Sequence, residues 1–278
     1  MNIPIYIPSY NRAETIKTSR WLDTENIGYK VILHTEKCKA EYISAGLVKE
    51  ENIIVSHAPS GITPQRNWIA KNLTERGQWF LTFDDNVSGF NRVSDDYYQS
   101  HRKLDVKSAS ITQHDFKQSV SPTDYLERLK EDILLAEKIG AEYIGYATTD
   151  NYFFNGTKYK SVGYIVSKVV AIKYSGLSYD PNLEAMEEFG YCADQLIKNN
   201  CVLRNNWLKS INGHYEAGGI GVYEARVPRK IQDCKYLMQK YPNLFRYKVK
   251  KGCHPKAELA FKVNSTKRLI EWKKDHYR

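Results

Sequence analysis

The sequence predicts an α/β fold whose central sheet is mixed, mainly parallel and flanked by helices. Four short apolar runs in the first 90 residues alternate with helix-like segments, which is the rhythm of parallel strands joined by right-handed crossovers. Polar clusters at 9–12, 34–36, 57–60 and 84–86 follow these runs, and parallel sheets collect ligands at the carboxyl ends of their strands. We expect residues 1–225 to form this domain, and residues 226–278 to be a basic C-terminal segment packed on it or extending it.

The first half supplies the parallel strands and their crossover helices. The predicted elements are a strand at 3–8, a helix at 13–22, a strand at 29–35, a short helix at 40–47, a strand at 52–57, a helix from the loop at 60 through about 75, and a strand at 79–83. Gly46 stands near the end of the short helix, where glycine is common.

The second half opens with a long polar stretch, 88–120, that has no sustained period and reads as a lid or a disordered loop. A helix follows over 121–140, because Ser121 can cap it, Pro122 suits its first position and Gly140 can stop it. The remaining predicted elements are strands at 141–147 and 164–174 and helices at 187–200, 229–240 and 265–277.

Composition limits the class of protein. The 278 residues are 42% hydrophobic and 26% charged, no run approaches the roughly 20 apolar residues that span a bilayer, and the mean hydropathy of −0.57 predicts a soluble protein. The apolar N-terminus lacks a basic region and is interrupted by Pro4 and Pro8, so it reads as a strand rather than a signal peptide. Five cysteines without a CxxC pair indicate a reducing cytosol.

Positive charge is concentrated at the C-terminal end. Residues 226–278 contain sixteen Lys or Arg against four Asp or Glu, a balance of +12, whereas the whole chain carries +9. Tyr, Phe and Trp are interleaved with these charges, which suits binding to a polyanion such as nucleic acid. The alternative is a solvated basic surface without a specific partner.

The fourth strand runs directly into two carboxylates and an amide, Asp84, Asp85 and Asn86. Asp84 and Asn86 project to the same side of an extended chain and Asp85 to the other. Oxygen ligands are those that Mg²⁺ and Mn²⁺ prefer, and one or two carboxylates suffice. Asn86 would be a weaker, neutral ligand, and the alternative is a turn that only ends the strand.

Four motifs in this order resemble GT-A glycosyltransferases. They are IPSYNR on the first strand, PQRN opening a helix, FDDN ending the fourth strand, and YDPNLEAMEEFGYCADQLIKNN further on. The resemblance covers about residues 3–205, and YIPSYNRAET with FDDN is most similar to the phage-type DNA-base enzymes called TET-associated glycosyltransferases. It implies a nucleotide-sugar half at about 1–90 and an acceptor half at about 120–225.

The resemblance also implies a donor site for a UDP-sugar with Mn²⁺ or Mg²⁺. Its expected nucleotide-sugar residues are Pro8, Tyr10, Arg12, Glu36, Arg66, Asn67, Asp84 and Asp85, and its expected metal ligands are Asp84, Asn86 and His214, with His254 a further candidate for a late contact. Structural alternatives remain open: surface ion pairs for the two arginines, an exposed position without a role for Glu36, and core packing for Tyr10.

The acidic pair Glu187–Glu188 matches the position of the family's acidic pair, so the resemblance implies that one of them removes the acceptor's proton. Asp194, one to two turns further on, is a weaker candidate. The alternative is that these acids only complement a helix dipole.

The acceptor implied is a hydroxymethyl pyrimidine, 5-hydroxymethylcytosine above all, in double-stranded phage DNA in the cytoplasm of an infected bacterial host. Expected DNA contacts are Arg229, Lys230, Lys248, Lys250 and Lys251, without a membrane partner. Two alternatives stay open: a glycan, lipid or protein acceptor, and a nucleic-acid-binding protein with a relic transferase fold. The sequence leaves open the sugar and whether transfer inverts or retains configuration.

Overall fold

The computed structural model describes residues 3–93, 117–148, 157–212, 223–249 and 252–276. Their strands are β1 (Ile5–Pro8), β2 (Lys30–Leu33), β3 (Ile53–Val55), β4 (Trp79–Phe83), β5 (Val87–Val93), β6 (Lys117–Val120), β7 (Tyr143–Tyr146), β8 (Tyr159–Lys160), β9 (Val169–Lys173), β10 (Leu203–Asn205), β11 (Leu208–Asn212), β12 (Phe245–Tyr247) and β13 (Leu259–Phe261). Their α-helices are α1 (Thr18–Asp23), α2 (Glu36–Ala45), α3 (Ile62–Leu73), α4 (Pro122–Ile139), α5 (Glu187–Asn199), α6 (Tyr223–Lys240) and α7 (Thr266–His276). A 3₁₀ turn at Glu50–Asn52 precedes β3.

The central sheet has eight strands in the order β3-β2-β1-β4-β9-β7-β10-β8. Strands β1 to β4 run parallel to one another, and β10 runs parallel to β7. Strand β9 is antiparallel to both β4 and β7, and β8 is antiparallel to β10. The predicted mixed, mainly parallel α/β class, consistent with a GT-A-like fold, is confirmed. Because β9 runs opposite to β4 and β7, its first residues lie at the edge of the sheet that holds the carboxyl ends of those two strands.

A second sheet joins β11, β5 and β6, and a third pairs β12 with β13. The expectation that 88–120 lacks structure is wrong for its described ends, since β5 and β6 pair there in antiparallel register. Strand β5 also pairs with β11, more than a hundred residues later. Such a distant partner leaves little local signal, so a polar run without periodicity still forms strands. Residues 94–116 of that stretch lie outside the described residues.

The helix boundaries follow local capping in two cases. Thr35 accepts a hydrogen bond from the Cys38 N–H at the start of α2, and Gly46 ends that helix with φ of 67°. Ser121 accepts from the Asp124 N–H at the start of α4, and Gly140 ends it with φ of 77°. Only residues such as glycine adopt these left-handed angles at low cost.

Three predicted helix starts are wrong. The short helix expected from residue 40 begins at Glu36, because Thr35 caps it there. The helix expected from residue 13 begins only at Thr18, because the backbone N–H groups of Lys17 and Thr18 bind the Asp85 carbonyl instead of continuing a helix backwards. The helix expected from residue 229 begins at Tyr223 and runs through Pro228. Pro228 is the sixth residue of α6 and lies beyond the first turn, where proline is best tolerated, so the helix includes a proline that a helix interior usually excludes.

Alternating strand residues build a core on each face of the central sheet. Ile7 and Leu81 pack into one core with Tyr125 and Leu129 of α4. The second core contains, among others, Tyr6, Phe80, Phe189, Leu196, Leu237, Phe245, Leu269 and Trp272. The C-terminal segment therefore supplies part of the second core. The boundary expected after residue 225 falls inside α6, and no helix of the described residues is long and apolar enough to cross a membrane.

Candidate functional site

Arg66 connects three elements at the carboxyl edge of the central sheet. Its guanidinium donates Nη1 to Glu187 Oε1 at 2.9 Å, and Nη2 to Asp84 Oδ1 at 3.2 Å and to the Ser167 carbonyl at 2.7 Å. The Tyr179 ring covers the guanidinium, with 5.3 Å between Cζ and the ring centre. The structure thus brings together Arg66, Asp84 and Glu187, which the resemblance placed in one site.

Burial dominates the electrostatics of this cluster. The Arg66 side chain is only 4% exposed; burial by itself lowers its pKa, but Tyr179, Asp84 and Glu187 together raise that pKa above its ordinary value. Burial raises the pKa of Asp84, although Arg66 and Lys168 oppose the shift. Burial, followed by the neighbouring Glu188, raises the pKa of Glu187 well above the ordinary range.

Glu188 is the more accessible carboxylate of the adjacent pair. It is half-buried, and its Oε1 accepts a hydrogen bond of 2.6 Å from the Tyr164 hydroxyl. The Tyr164 ring stacks on Phe189, with 4.1 Å between ring centres, which fixes the tyrosine. Both acids begin α5, where the helix dipole also favours negative charge, so the dipole and the catalytic interpretations are compatible.

Asp85 ties the end of β4 to the loop after β1. Its Oδ2 accepts from Ser9 Oγ at 2.6 Å, and its Oδ1 lies 3.2 Å from Arg12 Nε. Tyr42 shares a 2.6 Å hydrogen bond with Ser9 and accepts the Arg12 backbone N–H. Burial raises the pKa of Asp85 to about 6, opposed by the Ser9 hydrogen bond and Arg12. Both carboxylate oxygens are engaged by the protein, so Asp85 shapes the loops around the site.

The turn after β4 is held by the start of α1. Thr18 Oγ1 donates to the Asp84 carbonyl at 2.6 Å and accepts from the Val87 N–H at 3.0 Å. The Asp84 N–H in turn donates to the Lys168 carbonyl at 2.7 Å. The Asp-Asp-Asn sequence is therefore a fixed turn that also presents a carboxylate, and neither of the two sequence interpretations excludes the other.

The ends of β1 to β3 carry the residues expected to contact the nucleotide. Tyr10, 44% exposed, follows the buried Pro8 and meets the His34 ring edge-on, with 5.4 Å between ring centres. His34 is fixed by a 2.6 Å hydrogen bond between Nδ1 and Gln65 Nε2, and burial lowers its pKa. Glu36 is largely exposed, 4.0 Å from the His57 imidazole. These side chains form an open, partly aromatic surface beside the Arg66 cluster.

Two residues predicted for the site have other contacts. The Asn67 side chain donates to the Tyr179 carbonyl at 2.8 Å and accepts the Tyr179 N–H at 2.7 Å, so its amide supports the loop that covers Arg66. Asp194 Oδ1 accepts from the Tyr241 hydroxyl at 2.7 Å, and it faces α6 rather than Glu187.

Sequence reasoning missed the segment just before β9. Ser167 contacts Arg66 through its carbonyl, and Lys168 lies close enough to lower the pKa of Asp84. The polar pair between apolar runs in YIVSKVVAIKY was the available signal. Reading that whole stretch as one strand hid it, because only the reversed direction of β9 brings residues 167–168 to the site.

The donor set of the strand end limits how a divalent cation could be held. The Asp84 side chain is 32% exposed, and only one of its oxygens contacts Arg66; Asn86 is half-buried beside it. Within the described residues, no group of three or more His, Cys, Asp or Glu side chains could hold a metal ion, and His214 lies outside them. The residues fit a cation that takes one carboxylate and completes its shell with ligand phosphates and water.

The predicted DNA contacts of the C-terminal segment are partly neutralised. Arg229 lies 3.2 Å from Glu184, and both side chains are exposed. Lys230 forms an ion pair with Glu258. Lys248 is exposed, whereas Lys250 and Lys251 lie outside the described residues, as His214 does; His254 is exposed and accepts the Lys256 N–H through its own ring nitrogen.

Comparisons with known proteins identify the family of the chain. A solved structure, the crystal structure of A197 from STIV, is similar over 77% of this chain and 86% of that chain at 9% identity, but its TM-score of 0.35 supports no argument. No curated protein sequence matches the chain. The family model for TET-Associated Glycosyltransferase matches residues 3–219, which include Arg66, Asp84 and Glu187. The chain belongs to the TET-associated glycosyltransferase family and is a glycosyltransferase.

Proposed function

We propose that this glycosyltransferase moves a sugar from a UDP-sugar to the hydroxymethyl group of 5-hydroxymethylcytosine in double-stranded phage DNA, in the cytoplasm of an infected bacterium. The observation that supports a transfer site best is the convergence of Asp84 and Glu187 on the buried Arg66 at the carboxyl edge of the sheet. The net charge of +9 supports a polyanionic acceptor.

The donor would lie along the ends of β1 to β4. Tyr10 offers an exposed ring to the base, and Glu36 a carboxylate to the ribose. Arg12 and Lys168 both lower the pKa of Asp84, so positive charge surrounds the place where the diphosphate would leave, and fixed cations stabilise such developing charge. Mn²⁺ or Mg²⁺, held by Asp84 with Asn86 nearby, would add further neutralisation of the diphosphate.

On the acceptor side we assign the proton transfer to Glu188. The acceptor oxygen attacks the anomeric carbon, the bond to the diphosphate breaks with its electron pair going to UDP, and the hydroxyl proton goes to the carboxylate. Glu188 is half-buried and oriented by Tyr164, whereas Glu187 is bound to Arg66. Glu187 and Arg66 would then hold the start of α5 in place, and with it Glu188, the proposed general base.

The test is a mass measurement on DNA containing 5-hydroxymethylcytosine, incubated with Mn²⁺ and a panel of UDP-sugars. We expect one donor to add the mass of its sugar, and no addition to cytosine DNA of the same sequence. The variant Glu188→Gln, which keeps the size and the hydrogen bond from Tyr164, should lower kcat by about 10²–10⁴-fold with little change in donor affinity.

Two outcomes would contradict parts of the proposal. UDP release without any change in DNA mass would mean that the sugar is transferred to water, which would contradict DNA as the acceptor and direct the search to glycan, lipid or protein acceptors. No UDP release with any donor, from a folded preparation, would contradict the UDP-sugar as donor.

A further inference from the structure

A charged cleft lies at the end of β5 that is farther from Asp84. It is a shallow, open depression, with about 10 Å³ of room for the centre of a water-sized sphere, which is the space of roughly one water. Strand β5 leaves the Asp-Asp-Asn turn at Val87 and reaches the cleft at Arg92, roughly 17 Å along an extended strand. The cleft is therefore distinct from the Arg66 cluster but connected to it by a continuous strand.

Three cations from three separate elements line this cleft. They are Arg92 on β5, Arg128 on α4, and Lys158 next to β8, and Trp207 between β10 and β11 joins them. All four side chains are partly exposed. The Lys158 ammonium lies 5.1 Å from the centre of the Trp207 ring, which holds one cation against an aromatic face.

The acidic side chains of the cleft do not offset this charge equally. Asp132 is 1% exposed, and its carboxylate accepts hydrogen bonds from the Tyr159 hydroxyl and the Asn205 amide at 2.9 to 3.1 Å. It is directed into the protein and committed to those partners. Glu131 is the exposed acid of the lining. The solvent side of the cleft thus presents three cations against one carboxylate.

Cations beside a partly exposed aromatic ring suit a nucleic acid better than a lipid surface. Phosphodiesters supply regularly spaced negative charge, and an indole face accepts a base or sugar by stacking. An anionic lipid surface also attracts clustered cations, but it offers no base or sugar ring to stack on the indole. Two predicted DNA contacts of the C-terminal segment, Arg229 and Lys230, already have acidic partners, and the cleft is a second cationic surface separate from that segment.

We propose that this cleft binds the phosphate backbone of the acceptor DNA beside the target nucleotide, with Arg92, Arg128 and Lys158 contacting phosphates and Trp207 contacting an adjoining nucleotide. This inference rests on the DNA acceptor of the proposed function. The β5 strand would then set the distance between the bound backbone and the Asp84 end of the site.

The test compares the double variant Arg128→Gln/Lys158→Gln with a matched control, Lys130→Gln/Lys138→Gln. The control also removes two positive charges, and Lys130 already pairs with Glu127 at 2.6 Å. Binding of a fluorescent duplex is measured by anisotropy from about 50 to 200 mM salt. We expect the cleft variant to lose roughly tenfold or more in affinity, and the slope of log affinity against log salt to flatten by about 1.8 for two lost phosphate contacts. UDP release from the donor without DNA should stay unchanged.

Two results would overturn the inference: equal affinities for the cleft variant and its control, or no binding of duplex by the unaltered protein. The variant Trp207→Leu adds a charge-independent measurement, and it should weaken binding without changing the salt slope. If the cleft variants bind duplex more weakly but the unaltered protein transfers no sugar to 5-hydroxymethylcytosine DNA, the cleft is supported and the proposed acceptor is contradicted. If the unaltered protein transfers sugar but the cleft variants bind duplex with unchanged affinity, only the role of the cleft is contradicted.

Discussion

Arg66 satisfies carboxylates from β4 and α5 at once, and this makes it the residue on which the geometry of the site depends most. Replacing it with Met would leave the buried Glu187 carboxyl without its cation, so the protein would have to hold an unpaired charge there or bind a proton. We expect Arg66→Met to lower the free energy of unfolding by about 3–5 kcal/mol, the range for breaking a buried ion pair. Urea unfolding measures this loss, and the exposed Arg20→Gln is the control, with a change expected within about 0.5 kcal/mol.

Removing both partners should be less harmful than the sum of the single changes. In Arg66→Met/Glu187→Leu, no buried charge is left without its partner across that contact, so the double variant should recover part of the stability that the two single variants lose. Additive losses in the same unfolding experiment would show that the 2.9 Å contact contributes no coupling.

Asp132 gives the stability a predictable pH dependence. Burial raises its pKa to about 6, opposed by the hydrogen bonds from Asn205 and Tyr159. Because the folded protein holds this proton more tightly than the unfolded chain, the contribution of Asp132 is fully present below about pH 4 and is lost as the pH rises through about 6. The shift corresponds to about 3 kcal/mol.

The variant Asp132→Asn removes this titration while keeping the shape of the side chain. Unfolding free energies measured between pH 4 and 8 should therefore fall less steeply for the variant than for the unaltered protein. Parallel pH profiles for the two proteins would contradict the assignment.

Single residues were predictable from the sequence where the backbone dictates their direction. Asp84 follows a buried strand, and spacing along that strand was enough to separate it from Asp85. On a helix, the direction of a side chain depends on which elements pack around the helix, and the sequence alone does not tell which these are. Asn67 was therefore predicted to contact the donor, although its side chain binds the Tyr179 backbone. Asp194 was predicted as a candidate base, although it binds the Tyr241 hydroxyl.

At the scale of elements, α6 secures the start of the helix that carries the acidic pair. Asp233 Oδ2 accepts the backbone N–H groups of Glu184, Ala185 and Met186 at 2.7 to 3.1 Å. These donors directly precede α5, where N–H groups need an external acceptor. One carboxylate from α6 therefore holds in place the backbone that leads into Glu187.

Asp233→Ala should lower the free energy of unfolding by about 2 kcal/mol, the upper range for a lost helix cap. It should also lower kcat for sugar transfer more than it changes KM for the donor, because the position of the acidic pair changes while the donor surface does not. Asp233→Asn, which keeps one acceptor oxygen, should restore part of both. A stability loss without any change in kcat would confine the role of Asp233 to folding.

The elements that sequence reasoning found are those with local signals: capped α4, α2 with its terminal glycine, and the apolar strands β1 to β4. Elements defined by distant partners were missed or misread. Strand β5 depends on β11, and the reversal of β9 depends on the two strands that flank it. No periodicity within either segment encodes these pairings, and residues 167–168 were lost from the prediction for that reason.

At the scale of the whole molecule, the positive charge has two possible roles in DNA binding. The C-terminal lysines at 248, 250 and 251 were predicted to contact phosphates. Replacing all three with Gln should reduce DNA retention and flatten the salt slope by up to about 2.7, at about 0.9 per contact. Unchanged DNA retention at low salt would mean that these three lysines do not contribute to binding. Combining their replacement with the cleft variant would show whether the two losses of affinity add.

The position of α6 in the second core has a consequence for how the protein matures during synthesis. The chain emerges from the ribosome with its N-terminus first, and domains generally fold as units. Glu187 and Glu188 are translated well before Asp233, and the core residues Leu269 and Trp272 follow later still. A nascent chain that ends near residue 225 already carries every residue of the Arg66 cluster but neither the acceptor for the N–H groups of 184–186 nor the cover of that sheet face. We therefore expect activity to arise only after α6 and α7 have been made and have packed onto the sheet.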